Sequence, residues 1–144
     1  MLESLGGLEN EEVKDETVVA FEEKKSKLPW HTWKVGEHEY KLKLTTPNIC
    51  KLEDKYRCNI ASLVMADGIP PLSVMLTIIT SAMSSYQHKV SYQDVQKIYE
   101  NWTGEGGNQQ ELYGKVVLPI MGVSGFFTES QMQALNQALE EEMS

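Results

Sequence analysis

The side chains that could bind a metal ion or act as strong nucleophiles are three histidines and two cysteines. A zinc site needs ligands at short spacings, such as Cys-x2-Cys or His-x3-His, because all of them must come within about 2.3 Å of the ion. His31 and His38 flank a predicted hairpin, and neither Cys50 nor Cys58 is close to them in sequence; His88 lies farther along the chain. The spacing therefore predicts no metal site, and no other cofactor is expected.

The two cysteines do not predict a disulfide either. Cys50 and Cys58 fall in a segment with a helical pattern, where their separation in sequence corresponds to about 12 Å along the axis. That distance is too long for a disulfide without unwinding the helix. We expect two reduced, half-buried thiols that behave as small apolar groups.

Two segments faintly resemble catalytic or phosphate-binding motifs, and each lacks a necessary residue. A nucleophile elbow around Ser124 would need glycine at position 126, where the chain has Phe126. The glycine-rich loop 104–107 has no Walker lysine, and its own Glu105 would repel a phosphate. A helix–helix turn and a flexible loop are the expected structures.

Paired carboxylates are frequent, as at 11–12, 22–23 and 140–142. They lie in polar segments, where nothing would drive the pKa values of two neighbours apart, as acid–base catalysis requires. No candidate catalytic group has the partner that its chemistry needs. We therefore predict that the protein is not an enzyme and works by binding another protein.

The net charge of −8 excludes some classes of partner. Nucleic acids and anionic membranes attract clustered lysines and arginines, which this chain does not have. The longest apolar stretch, 70–83, is interrupted by serines and threonines and is shorter than the roughly 20 residues of a bilayer helix. The acidic N-terminus is unlike a signal peptide, so we expect the protein in the cytoplasm of the cell that makes it.

The chain divides into a flexible acidic arm, 1–28, and a single helical domain, 29–144. The arm is rich in glutamate and glycine, but its short run Thr17–Phe21 is β-prone and could add a strand or dock on a partner. A β-hairpin is predicted at about 31–45, where polar and apolar residues alternate on both sides of a turn. A lone hairpin is barely stable in water, so its apolar face must pack on helices or another subunit.

Helical periodicity and capping residues predict a mainly α domain, a compact bundle of about five helices. These helices span about 47–66, 71–84, 91–102, 109–121 and 128–143. Thr46 is the predicted N-cap of the first helix, with Pro47 at its first position, and Asn59 could interrupt it. Pro119 should kink or weaken the last turn of the fourth.

The last helix is the predicted partner-binding element. A capping box at 128–131 opens it, and one of its faces is apolar: Met132, Leu135, Leu139 and Met143. Methionine suits adaptable apolar surfaces, and the chain has seven. The exposed edge of the hairpin offers a second surface, for self-association.

The order of elements from Trp33 to about Phe127, from hairpin to capped helices, is a pattern that covers about two-thirds of the chain. It is carried by the residues 40–46, Ile49, Leu52, Glu53, Tyr56, Asn59, Ile60, the apolar helix from Leu72, 90–95 and Tyr99. In this pattern the chain resembles the tail assembly chaperones of long-tailed bacteriophages (siphophages) and prophages, of the type found in Gram-positive hosts. In many members of that family the hairpin lies near the N-terminus, so the arm 1–28 is a departure.

The resemblance implies a role in virion morphogenesis in the host cytoplasm. Such chaperones coat the long helical tape measure protein, keep it soluble and recruit tail tube protein subunits before leaving the tail. Two other functions remain open from the residues alone, a structural tail or connector protein of the virion and a helical adaptor unrelated to phage.

Overall fold

The computed structural model describes residues 29–143, except for the side chains of Leu139, Glu142 and Met143. The predicted arm 1–28 lies outside the described residues, as does Ser144. The described part is mainly helical and begins with a two-stranded antiparallel hairpin, which confirms the predicted fold class.

Strands β1 (His31–Val35) and β2 (His38–Leu42) form the hairpin, with Trp33 opposite Tyr40. Gly36 has a φ of 61° in the two-residue turn, a conformation that favours glycine. The hairpin is predicted to extend to about residue 45, but the pairing of the two strands ends at Leu42.

After Leu42 the backbone pairs with helices instead of with β1. The Lys43 N–H donates to the Ala82 carbonyl at 3.3 Å, and the Leu44 N–H donates to Ser124 Oγ at 2.9 Å. These two bonds fix the hairpin on the helical layer.

The helix predicted at 47–66 is two helices, α1 (Thr46–Tyr56) and α2 (Ile60–Met65), so that prediction is wrong in its middle. Arg57 adopts a left-handed conformation with a φ of 59°, which ends α1. Asn59 then accepts a hydrogen bond from the Ser62 N–H and caps α2. The N-cap of α1 is Thr45, one residue before the predicted cap, because its side chain accepts from the Asn48 N–H.

Helix α3 (Leu72–Met83) lies at the centre of the core, with apolar side chains buried on several of its faces. Helix α4 (Tyr92–Gly104) begins after Ser91, in a segment whose sequence is typical of a capped helix start. Ser91 and Asp94 form a capping box there, since each side chain accepts from the other's backbone N–H. The ring centroids of Trp102 and Trp33 are 5.7 Å apart in an edge-to-face contact. This aromatic pair joins α4 to the hairpin.

Residues 109–123 form one continuous helix with a wide turn in its middle: α5 (Gln109–Leu112), a π-helical turn (Tyr113–Val117) and α6 (Leu118–Val123). Pro119 is expected from the sequence to kink or weaken the last turn of this helix. The π-helical turn instead lies before Pro119. Pro119 has no N–H to donate to the Lys115 carbonyl, and its ring would crowd that carbonyl in a regular α-helix. The wide turn relieves this crowding, and His31 Nε2 bonds to the carbonyl at 2.8 Å.

Helix α7 (Glu129–Met143) ends the described chain. None of its described side chains is buried, and Met132 and Leu135 are half-buried. The core is formed by the buried apolar side chains of the other elements: Trp33, Val35, Leu42, Leu44, Leu52, Ile60, Val64, Val74, Met75, Leu76, Ile78, Ile79, Ala82, Met83, Val95, Leu112, Val116, Val117, Ile120 and Met121.

Replacing Gly107 by alanine tests the packing around Trp102. A Cβ at this position would overlap the Trp102 indole, including Cε2 at 2.7 Å. We expect Gly107→Ala to lower the free energy of unfolding by about 1–3 kcal/mol, measured by urea denaturation. Gly114→Ala is the matched control, because nothing lies within 4 Å of its Cβ position. It should leave stability unchanged or raise it by up to about 1 kcal/mol; equal losses in both variants would contradict the packing argument.

Candidate protein-binding groove

An open apolar groove separates α7 from the body of the domain. Its volume is about 320 Å³, and it is lined by Met65 at the end of α2, Leu118 at the start of α6, Phe127 before α7, and three residues of α7: Gln131, Ala134 and Leu135. Met65 is 48% exposed and lies beside the other apolar groups of the groove, so its side chain is accessible to a partner. The groove can therefore receive apolar side chains of a partner.

The start of α7 is fixed by a reciprocal cap. Thr128 Oγ1 accepts from the Gln131 N–H at 3.2 Å, and Gln131 Oε1 accepts from the Thr128 N–H at 2.9 Å. This confirms the predicted capping box, with glutamine as the third residue after the cap. Gln131 is the one polar residue of the groove, and its amide oxygen is already bonded in the cap. The rest of the groove lining is apolar.

Met132 attaches α7 to α6. A Cβ on Gly122 would lie 2.7 Å from Met132 Sδ, so glycine at this position lets the thioether approach the α6 backbone. Phe127 also lies beside Gly122. Met132 and Phe127 therefore anchor the start of α7 on α6.

The four residues predicted to bind a partner do not have equal positions. Leu135 lines the groove, whereas Met132 faces the body of the domain and contacts it. The side chains of Leu139 and Met143 lie outside the described residues. The partner-binding role of Met132, Leu135, Leu139 and Met143 stays a prediction.

Sequence reasoning missed the residues on the other side of the groove. Met65 and Leu118 are at the ends of different helices, and Phe127 precedes a third. The one available signal was the pair Phe126-Phe127, two large apolar residues beside a glycine turn and outside any predicted helix. Periodicity could not reveal how these distant positions come together.

The charge of α7 is entirely negative. Its charged residues are Glu129, Glu140, Glu141 and Glu142, with no lysine, arginine or histidine. Glutamates in the last turn lie at the negative end of the helix dipole, where cations are favoured. The end of the helix therefore attracts a basic group.

Side chains that could have served catalysis have structural roles here. Ser124 Oγ accepts from the Leu44 N–H, and Glu105 Oε1 accepts from the Gly36 N–H at 3.1 Å. Both bonds hold the hairpin. Within residues 29–143, no group of three or more His, Cys, Asp or Glu side chains is arranged to hold a metal ion. The absence of enzymatic activity remains a prediction.

In the described part of the chain, no helix combines the length and apolar character needed to cross a bilayer. Comparison with protein-family models, with curated proteins and with solved structures finds no match. The resemblance to tail assembly chaperones therefore stays a prediction from the sequence pattern.

The histidine that bonds to Lys115 should make the fold sensitive to acid. Burial lowers the pKa of His31 from its ordinary value, and the hydrogen bond that the ring donates to the Lys115 carbonyl opposes this only in part. The unfolded chain therefore takes up a proton below about pH 6.5 that the folded protein resists. The contribution of His31 to the free energy of unfolding is fully present above that pH and is lost as the pH falls below it.

We expect the free energy of unfolding to decline between about pH 6.5 and pH 5, by at most about 1.4 kcal/mol per pH unit from this group. His31→Gln, measured by urea denaturation across that range, should show a flatter decline. His38→Gln is the control, since His38 is an exposed hairpin residue, and it should keep the wild-type slope. A wild-type slope in His31→Gln would show that another group is responsible.

Proposed function

We propose that the protein is a tail assembly chaperone of a long-tailed phage or prophage. In this role it binds the tape measure protein, keeps it soluble and helps to recruit tail tube subunits. The proposal rests on the resemblance of residues 33–127 to that family. The observation that supports it is the apolar groove between α7 and the end of α2.

The groove has the chemistry needed for a helical client. An amphipathic helix can bury an apolar stripe, at spacings of three and four residues, against Leu118, Phe127 and Leu135. The space of about 320 Å³ accommodates a few side chains of such a stripe and not a whole helix. Met65 at its edge is flexible and polarizable, which suits a client whose stripe changes along its length.

The net charge supports the same role. A tape measure protein is a long apolar-striped helix that aggregates until its stripe is covered. A partner with a net charge of −8 covers the stripe and leaves a charged exterior, which keeps the complex soluble. The residues that line the groove are uncharged, so desolvation of a buried charge does not oppose binding.

Substitution of Leu135 by aspartate tests the groove. The client is a tape measure protein, expected as a very long helical reading frame near this gene, and the assay is its solubility and capture on co-expression. Burying an unpaired carboxylate costs more than about 1.4 kcal/mol, so the dissociation constant should rise at least about tenfold. Met65→Asp should have the same effect from the opposite wall, and the double change at Leu135 and Leu139 a larger one.

Gln133→Asp is the matched control. It adds the same charge to an exposed position of α7 that does not line the groove, and it should bind the client as the wild type does. Circular dichroism must show that each variant is folded. If Leu135→Asp unfolds the domain, α7 belongs to the core and the groove is not the binding site.

Wild-type protein that neither dissolves nor captures the long helical protein would refute the chaperone role. Mass spectrometry of purified particles separates the alternatives, because a chaperone leaves before the tail is complete. Finding the protein in finished virions would make it a structural component.

A further inference from the structure

We propose that the groove has a second ligand within the same chain, the segment 18–27, which occupies it when no client is bound. This segment is called the arm peptide below. It lies outside the described residues, and its sequence, Val18-Val19-Ala20-Phe21 followed by glutamates and a lysine-rich end, carries the argument. The inference does not depend on the identity of the client.

The apolar part of the arm peptide matches the groove wall. Among the residues before Leu28, the densest group of large apolar side chains is Val18, Val19 and Phe21. The wall offered by Leu118 and Leu135 is apolar and open to solvent. Covering both surfaces removes apolar area from water at about 25 cal/mol per Å².

The charges of the two segments are also complementary. The arm peptide has Glu22 and Glu23 in its middle and ends with Lys24, Lys25 and Lys27, whereas α7 ends with the acidic segment 140–142. The complementarity therefore lies in the lysines at the end of the arm peptide. Lysines near the C-terminal turn of α7 would be attracted both by the glutamates and by the negative end of the helix dipole.

The segment between Phe21 and Trp30 is long enough to let Phe21 reach the groove. The described chain begins at Pro29, and two residues later His31 bonds to the Lys115 carbonyl. Leu118, on the groove wall, is three residues from Lys115, or about 4.5 Å along a helix. The nine steps from Phe21 to Trp30 span up to about 30 Å, so Phe21 can reach the groove. Attachment in the same chain also gives the arm peptide a high effective concentration.

A second copy of the chain is a less suitable ligand. Two α7 helices brought together would each contribute Glu129 and the segment 140–142 without any basic residue. Like charges at close distance oppose such a contact. The charge pattern therefore favours a basic segment over a second α7.

Photo-crosslinking in the full-length protein tests this. A p-benzoylphenylalanine group in place of Phe21 should form crosslinks within one chain, identified by mass spectrometry as links to the segments that contain Met65, Phe127 or Leu135. The same probe in place of Leu5 is the matched control and should not select these segments. Leu135→Asp should lower the yield from the Phe21 probe at least about fivefold.

The electrostatic part has its own test. Lys24→Glu with Lys25→Glu should lower the crosslinking yield about threefold at low salt, and the difference should shrink in 0.5 M salt, where charges are screened within a few ångströms. Crosslinks between two chains, or links to surfaces away from the groove, would overturn the proposal.

Addition of the client should reduce the yield of the Phe21 crosslink in proportion to binding. If the crosslink forms in the groove and the long helical protein does not bind, the arm inference stands and the proposed function fails. If the client binds and no groove crosslink forms in its absence, the reverse holds.

Discussion

A two-stranded hairpin cannot remain folded alone in water, and the way this hairpin is attached to the helices organises the rest of the domain. Its inner side chains, among them Trp33 and Leu42, are buried, so apolar burial supplies most of the attachment. A hydrogen bond then fixes the position of β1 along the helix. His31 Nε2 donates to the Lys115 carbonyl, which receives no helical hydrogen bond from Pro119 because proline has no N–H. Pro119 thus leaves the Lys115 carbonyl free to accept from a residue of β1. The tertiary hydrogen bond to His31 offsets the loss of one helical hydrogen bond.

Helix α7 is attached differently. A helix of this length is marginal alone, so its stability depends on its cap and on contacts with the body. One of those contacts lies near its start, where Met132 reaches Gly122. The next turn, at Leu135, faces an open groove. A domain with a firmly packed core and an open groove beside one helix can exchange ligands in the groove without unfolding, because local opening costs less than global opening.

The proposed client and the proposed arm peptide would compete for one surface, and this competition has a physical benefit. An exposed apolar groove promotes aggregation as well as binding. A tethered segment of moderate affinity shields the groove at all protein concentrations, and a client with a longer apolar stripe displaces it by burying more surface. The acidic end of α7 would further select ligands that combine apolar and basic residues, since acidic ones are repelled.

The sequence by itself determined the features that depend on neighbouring residues. The capping residues Ser91 and Thr128, the hairpin around Gly36, and Asn59 as a point of interruption each act over a few positions, so local patterns revealed them. Only the tertiary structure decided where β2 stops, why the helix widens before Pro119, and which residues form the groove. Each of these depends on groups distant in sequence. Ser124 accepts the hydrogen bond of the Leu44 N–H just after β2, and His31 donates to the Lys115 carbonyl, which Pro119 leaves without a helical donor. The apolar side chains of the groove come from separate helices, and periodicity does not predict which helices meet.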